Sequence, residues 1–340
     1  MSQQLPVLVL VVPCYNEEEV LPETIRQLST IFGEMVGNGL IHSESKILFV
    51  DDGSEDRTWH RIALATLKNP FITGIKLSRN VGHQNALLAG MFKALETCDC
   101  TITMDADLQD DVAFLETFIK KFHEGYDIVY GVRKDRLQDS FFKRTSANIF
   151  YRIMEKMGIP LVPNHADFRL LSRKALLQLT RYKEVNLFLR GIIPLLGLSS
   201  TKVYYSRKKR IAGKTKYPLK KMLSFAIDGI TSFTVVPIRI ITLLGFSFFI
   251  ISVVAASYAL IQKFLGETIA GWTSLMISIW LFGGLQLVAI GTIGEYIGKI
   301  YTEVKGRPKY FIEIDLFSKS LLSNSHPQEY LNQTGDILSD

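Results

Sequence analysis

The segment "DADLQDD", residues 105–111, puts five carboxylate or amide side chains into seven positions, directly after "CTITM". Carboxylates this close repel one another unless a proton or a cation comes between them. In an extended segment alternate side chains share a side, so Asp105, Asp107 and Gln109 could turn their oxygens onto one ion. A hard divalent ion takes such ligands, oxygen donors in octahedral geometry with some supplied by water. The competing reading is a solvated acidic turn ahead of a helix near Ala113. Asp110 and Asp111 fit that second reading, because acids belong at helix N-termini.

Three further polar clusters follow apolar runs: "CYNEE", "DDGSED" and "SRN". The runs that precede all four are strand candidates at Val7–Val12, Ile47–Val50, Ile72–Leu77 and Thr101–Met104, with two more at Ile128–Val132 and Lys202–Tyr205. Amphipathic stretches between them, near Glu18–Phe32, Asp56–Leu67, Gln84–Glu96 and Ala113–Phe122, predict helices. Strands alternating with helices predict an α/β domain with a mostly parallel sheet. Ligands of such sheets bind outside the C-terminal strand ends, where all four polar clusters fall.

The last third differs in composition. Ile240–Ile261 and Thr273–Gly294 contain no charged residue, and about 20 apolar residues cross the hydrocarbon of a bilayer. Eleven residues join them, which predicts a two-helix transmembrane hairpin. Arg207–Arg210, Lys214, Lys216, Lys220 and Lys221 precede the first span, and Lys299, Lys305, Arg307 and Lys309 follow the second. That asymmetry predicts both termini in the cytoplasm of a multi-pass cell-membrane protein. From Leu219 to Phe233 apolar residues recur at three- and four-residue steps. They predict an amphipathic helix, either lying in the headgroup plane or packed on the globular domain. Gly284, Gly291 and Gly298 mark a face for close helix packing, against the first span or a second copy of the chain. The expected divisions are a cytoplasmic domain over 1–213, the amphipathic helix over 214–236, the hairpin over 237–298 and a juxtamembrane segment with a polar tail over 299–340.

The chain has 340 residues, 47% of them hydrophobic, and a formal net charge of +6. Its mean hydropathy of +0.17 excludes a disordered chain. Cys14, Cys98 and Cys100 lack the spacing of a zinc site and read as reduced thiols. The apolar N-terminal run has no basic segment before it and reads as a strand, not a signal peptide.

Together "VVPCYNEEE" (11–19), "VDDGSEDRT" (50–58), "LSRNVGHQNALLAG" (77–90), "MDADLQDD" (104–111), "ADFRLLSRKAL" (166–176) and the hairpin resemble the polyprenyl-phosphate glycosyltransferases. These are inverting enzymes of glycosyltransferase family 2 with a GT-A (Rossmann-like) domain, and the resemblance spans residues 6–312. It implies transfer of a hexose from a nucleotide-sugar, UDP-linked before GDP-linked, to polyprenyl phosphate, for later use in cell-envelope glycosylation. It implies a bilayer as partner, no nucleic acid, and Mg²⁺ or Mn²⁺ as cofactor, with Asp107 and Gln109 as metal ligands and Asp105 beside them. It places Pro13, Tyr15, Asn16, Glu17, Asp51, Asp52, Asp105 and Ala106 around the nucleotide-sugar. It gives Arg133 and Arg169 to catalysis and the lipid phosphate, with Arg207 and Lys214 nearer the membrane. Asp167 either orients Arg169 or acts as a base. The basic run at Arg207–Arg210 also suits plain interfacial anchoring. "QLTRY" (178–182) is similar to a motif of processive polysaccharide synthases but has Tyr182 where they have Trp. His83 and His165 read as polar or hydrogen-bonded residues. Two rival functions remain: a glycosyltransferase with a hydroxyl acceptor, and a non-catalytic nucleotide-sugar-binding adaptor.

Overall fold

The computed structural model describes residues 5–133, 165–184, 188–206, 236–264 and 271–318. Those residues divide into two compact units, one built from 5–206 with 308–318 and the other from 236–307. The amphipathic stretch 219–233, Arg207 and Lys214 lie outside the described residues.

The first unit is organised by a sheet of eight strands: β1 (Leu8–Cys14), β2 (Lys46–Asp51), β3 (Ile72–Leu77), β4 (Cys100–Thr103), β5 (Ile128–Arg133), β6 (His165–Ser172), β7 (Ser200–Tyr205) and β8 (Ile312–Asp315). Their spatial order is β7-β5-β6-β4-β1-β2-β3-β8. β1 pairs in parallel with β2 and β4, β2 with β3, and β5 with β7. β6 runs against both β4 and β5, and β8 against β3. The α/β, mostly parallel architecture is the one expected. All six expected strands are present. β6 and β8 were not expected as strands, and β8 falls in what was read as a juxtamembrane segment.

Burial on both faces explains why the parallel strands read as unbroken apolar runs: every residue of β1 is buried. The covering helices are α1 (Leu21–Gly37), α2 (Thr58–Lys68), α3 (His83–Ala94), α4 (Phe114–His123), α5 (Arg173–Leu179) and α6 (Leu189–Leu195). In α1 the buried residues are Leu21, Thr24, Leu28, Phe32 and Met35, one stripe at helical spacing. α3 lies unusually close to the sheet. A Cβ on Gly90 would come within 2.3 Å of Val11 Cγ1 and 2.8 Å of Val50 Cγ2, so only glycine permits that approach. The chain moves outward from β1 through β2 to β3, then returns to the other side of β1 for β4. The crevice at that reversal is where open α/β sheets bind ligands, and here it lies between Cys14 and Asp105. The three cysteines are buried and unpaired, as expected of reduced thiols.

The second unit holds two helices, α7 (Val236–Phe264) and α8 (Trp272–Lys305). They touch where the Phe248 and Phe282 rings meet edge-on, 5.9 Å between centroids. α8 ends at Gly306, whose φ of 55° is the left-handed conformation of a C-terminal cap. Among the described residues one segment, Leu281–Lys305, is long and apolar enough to cross a membrane. Ile238–Phe248 in α7 is apolar but shorter.

Candidate active site

The ends of β1 and β2 are laced together. Asn16 takes a left-handed φ of 51°, and its backbone N donates to Ser54 Oγ at 3.0 Å while its side-chain oxygen accepts from Glu55 N at 2.9 Å. Glu17 N donates to Thr58 Oγ1, and Glu18 accepts from Arg57 N. The expected nucleotide-binding residues Tyr15, Asn16 and Glu17 are half-buried on this rim, while Pro13 is buried within β1. Asp51 and Asp52 do different work. Asp52 accepts from Val81 N at 2.8 Å and Gly82 N at 3.0 Å, so it shapes the turn that starts α3. Gly53 supports the same turn. Its φ is +66°, and a Cβ there would stand 2.5 Å from the Arg79 carbonyl carbon. Asp51 is wholly buried. Burial pushes its carboxyl up to about 6, opposed by neighbouring Ser54 and Lys76.

The "DADLQDD" loop is a turn, not the extended segment expected. Leu108 has a φ of 55°, which costs an ordinary residue roughly 1–2 kcal/mol. Thr24 on α1 holds the loop by donating to the Ala106 carbonyl at 2.7 Å. Asp107 Oδ1 accepts from Gln109 N at 3.2 Å, so both side chains emerge from one tight bend. Gln109 Oε1 is buried and has no hydrogen-bond donor among the described residues. An orphaned amide oxygen beside a carboxylate suits a hard cation. Among the described residues no three His, Cys, Asp or Glu side chains form a metal-binding group. An ion at Asp107 and Gln109 would therefore need water or a bound anion to complete its shell.

Asp110 is not the solvated helix acid expected. Its side chain is 1% exposed and pairs with Arg133 Nη2 at 3.2 Å. The Tyr205 hydroxyl donates to the same oxygen, and Arg133 Nε lies 3.4 Å from that hydroxyl. The Tyr205 ring is fixed by Phe114 and Phe168. Two strands, β5 and β7, therefore grip the loop through Asp110. Asp111 does cap the turn before α4, accepting from Ala113 N at 3.1 Å.

Because β6 runs against β4, its first residues arrive at the rim where β4 ends. That places Asp167 opposite Asp105, and Thr103 Oγ1 donates to the Asp167 carbonyl. The Asp167 carboxylate gathers two guanidinium groups and an imidazole. Arg169 Nη2 lies 3.0 Å from Oδ1, Arg190 Nη2 3.0 Å from Oδ2, and His83 Nε2 3.6 Å from Oδ2. Arg190 Nε also reaches Oδ1 at 3.4 Å. His83 Nε2 in addition stands 3.5 Å from Asp105 Oδ1, bridging the two carboxylates. Burial alone would raise Asp167, but Arg190, His83 and Arg169 hold it well below the usual carboxylate range. Asp105 goes the other way. Burial, with Asp110, Asp167 and Asp107 adding to it and His83 opposing, pushes it up to about 6. For His83, burial lowers the imidazole, but Asp167 and Asp105 together raise it.

Arg169, expected at the lipid phosphate, has a fully buried side chain that pairs with Asp167. Arg190 had no place in the sequence reading. It sits on α6, whose Leu189 N donates to Gln84 Oε1 at 3.0 Å. The first two residues of α3 thus hold both Asp167 and the helix that carries Arg190. "QLTRY" is elsewhere: it spans the end of α5 and the turn after it, beyond the end of β6 away from Asp167, and Arg181 is exposed. His165 opens β6, its ring edge-on to Tyr130.

Residues 9–180 match the family model described as glycosyl transferase family 2. The chain is 60% identical over 321 residues to a Bacillus subtilis protein named "Uncharacterized glycosyltransferase YkoT", covering 94% of this chain and 95% of that one. It is 37% identical over 309 residues to the "Bactoprenol glucosyl transferase" of Shigella phage SfII, covering 89% and 96%. Among solved structures, the mannosyltransferase PcManGT from Pyrobaculum calidifontis, in complex with GDP-Man and Mn²⁺, is 14% identical. It covers 90% of this chain and 89% of that one at a TM-score of 0.41. Glucosyl-3-phosphoglycerate synthase from Mycobacterium tuberculosis is 15% identical over 65% of this chain and 76% of that one, at 0.40. At such values neither likeness bears on the chemistry.

Proposed function

Since the chain belongs to glycosyl transferase family 2, we propose that this glycosyltransferase moves a hexose from a nucleotide-sugar, UDP-linked before GDP-linked, onto polyprenyl phosphate. The observation that carries the reading is the ionised Asp167 among Arg169, Arg190 and His83. A general base works best with a pKa near the operating pH, and Asp167 is held far below it. A sugar or protein hydroxyl would need such a base. A phosphate monoester would not, because its second pKa lies near ~6. What it needs is positive charge to offset the donor's diphosphate. The relative named for bactoprenol, 37% identical over most of both chains, supports the same acceptor class.

In this reading Tyr15, Glu17 and Asp51 receive the nucleotide, and Asp105 faces the sugar. A divalent ion, Mg²⁺ or Mn²⁺, would be held by Asp107 and Gln109 and would supply Lewis-acid stabilisation of the departing diphosphate. Thr24 and the Asp110–Arg133–Tyr205 group keep that loop in its bend. The acceptor oxygen attacks the anomeric carbon in line as the nucleotide diphosphate leaves, so the anomeric configuration inverts and no sugar–enzyme bond forms. The apolar, exposed surfaces of α7 and α8 suit a bilayer, with spans near 240–261 and 273–294 and both termini cytoplasmic. Incubating the detergent-purified protein with labelled nucleotide-sugars and polyprenyl phosphate, then extracting into organic solvent, tests the assignment. Label should enter the organic phase with one donor. Label that instead appears on a hydroxyl acceptor, or nowhere, would refute it.

A further inference from the structure

The side chains gathered on Asp167 are unevenly exposed. The Arg169 side chain is 0% exposed, whereas Arg190 is 39% and His83 35% exposed. A ligand arriving from solvent meets Arg190 and His83, while the Arg169 side chain offers it no exposed surface. We propose that Arg190, with His83 beside it, receives the acceptor's phosphate, and that Arg169 acts one layer behind as a positioning residue for Asp167. The assignment rests on the phosphate-acceptor reading above.

Three features of the geometry support it. Arg190 is braced on both Asp167 oxygens, at 3.0 and 3.4 Å, so its guanidinium plane is set before any ligand arrives. An arginine fixed in this way is suited to a phosphate, whose oxygens match the planar fork. Its helix is tied to α3 through Gln84, the residue after His83, so the two side chains stand on connected elements. His83 reaches Asp105 as well as Asp167, which puts an anion bound there next to the carboxylate that faces the sugar. Acceptor phosphate and anomeric carbon would then be neighbours.

The test varies the concentration of a short-chain polyprenyl phosphate at saturating donor, beside calorimetric titration with the nucleoside diphosphate. Arg190→Ala should raise the lipid-phosphate KM at least tenfold while the nucleotide Kd stays within twofold. Arg190→Lys should recover part of that loss, and His83→Gln should raise the same KM by a smaller factor. Arg169→Met should lower the melting temperature and kcat with less effect on the lipid-phosphate KM. Matched melting curves for Arg190→Lys and wild type guard against a misfolded variant. If Arg190→Ala and Arg190→Lys both weaken nucleotide binding and leave the lipid-phosphate KM unchanged, Arg190 belongs to the donor side and the inference falls alone. A wild-type enzyme that transfers nothing to lipid phosphate would remove the functional reading and this assignment with it.

Discussion

Asp167→Asn should destabilise the catalytic unit more than removing the arginine behind it. Asp167 is the partner of a guanidinium with no solvent exposure, and Arg169 Nε and Nη1 have no hydrogen-bond acceptor among the described residues. Removing one member of a buried ion pair leaves an uncompensated charge and costs roughly 3–5 kcal/mol. The substituted amide can still accept one hydrogen bond, so the lower end applies, about 3 kcal/mol. At roughly 2–4 °C per kcal/mol for a domain of this size, the melting temperature should fall by about 6–12 °C. Arg169→Met removes the buried charge and leaves Asp167 paired with Arg190 and His83. That change leaves no buried charge unpaired, so its cost should be smaller than that of Asp167→Asn. The double variant should therefore melt above Asp167→Asn alone, because the charge that the first change strands is gone. Thermal unfolding of the four proteins in one detergent, as a double-mutant cycle, reads this directly. Additive losses would refute the reasoning. The pH dependence has a fixed sign. Asp167 is depressed in the folded state, so its stabilisation is present above the unfolded value near ~3.9 and is lost as pH falls through the lower folded one. Wild type should lose stability with acid more steeply than Asp167→Asn.

Asp107→Asn and Gln109→Ala should lose most turnover while keeping the wild-type melting temperature, and chelator should silence the wild type until Mg²⁺ or Mn²⁺ is restored; full activity in EDTA would contradict the metal site. Asp51 is raised to about 6 by burial, so nucleotide affinity measured by calorimetry should weaken as pH falls through that value. Asp51→Asn should flatten the profile, and an equally steep profile in the variant would assign the titration elsewhere. For topology, cysteine at Glu267 should react with an impermeant reagent from outside the cell, and cysteine at Arg307 only after permeabilisation. The opposite pattern would overturn the assigned orientation.

Five strands were legible because strands buried on both faces leave apolar runs, and the sixth, β7, shows an alternation of exposed and buried residues. β6 was not, because Asp167 and Arg169 interrupt its apolar character with a pair that satisfies itself only in three dimensions. β8, "IEID", is too short to carry a pattern of its own. The acidic loop at 105–111 was legible by composition, but its shape was not. Nothing about leucine announces the left-handed turn at Leu108. Asp110 was misplaced because its burial depends on Tyr205 and Arg133, which belong to strands distant in sequence. His83 stood inside a recognised motif, yet its two carboxylate partners become visible only when α3, β4 and β6 meet. Arg190 had no local signature at all: "NLFLRG" reads as an ordinary amphipathic turn, and its role is given by a contact to Asp167.

β8 carries a consequence for how the protein is made. It pairs with β3 after the chain has passed through both long apolar helices, and it is fixed there by Lys76–Glu313 at 3.2 Å and Lys93–Asp315 at 2.6 Å. On the ribosome the sheet must therefore emerge with the outer edge of β3 bare. That edge stays bare until the most apolar part of the chain has been synthesised. A bare strand edge is a template for pairing with other chains, and the interval is set by translation, not by folding speed. A chain stopped before residue 308 would keep that edge permanently, so a soluble fragment cut ahead of the helices lacks its own closing strand.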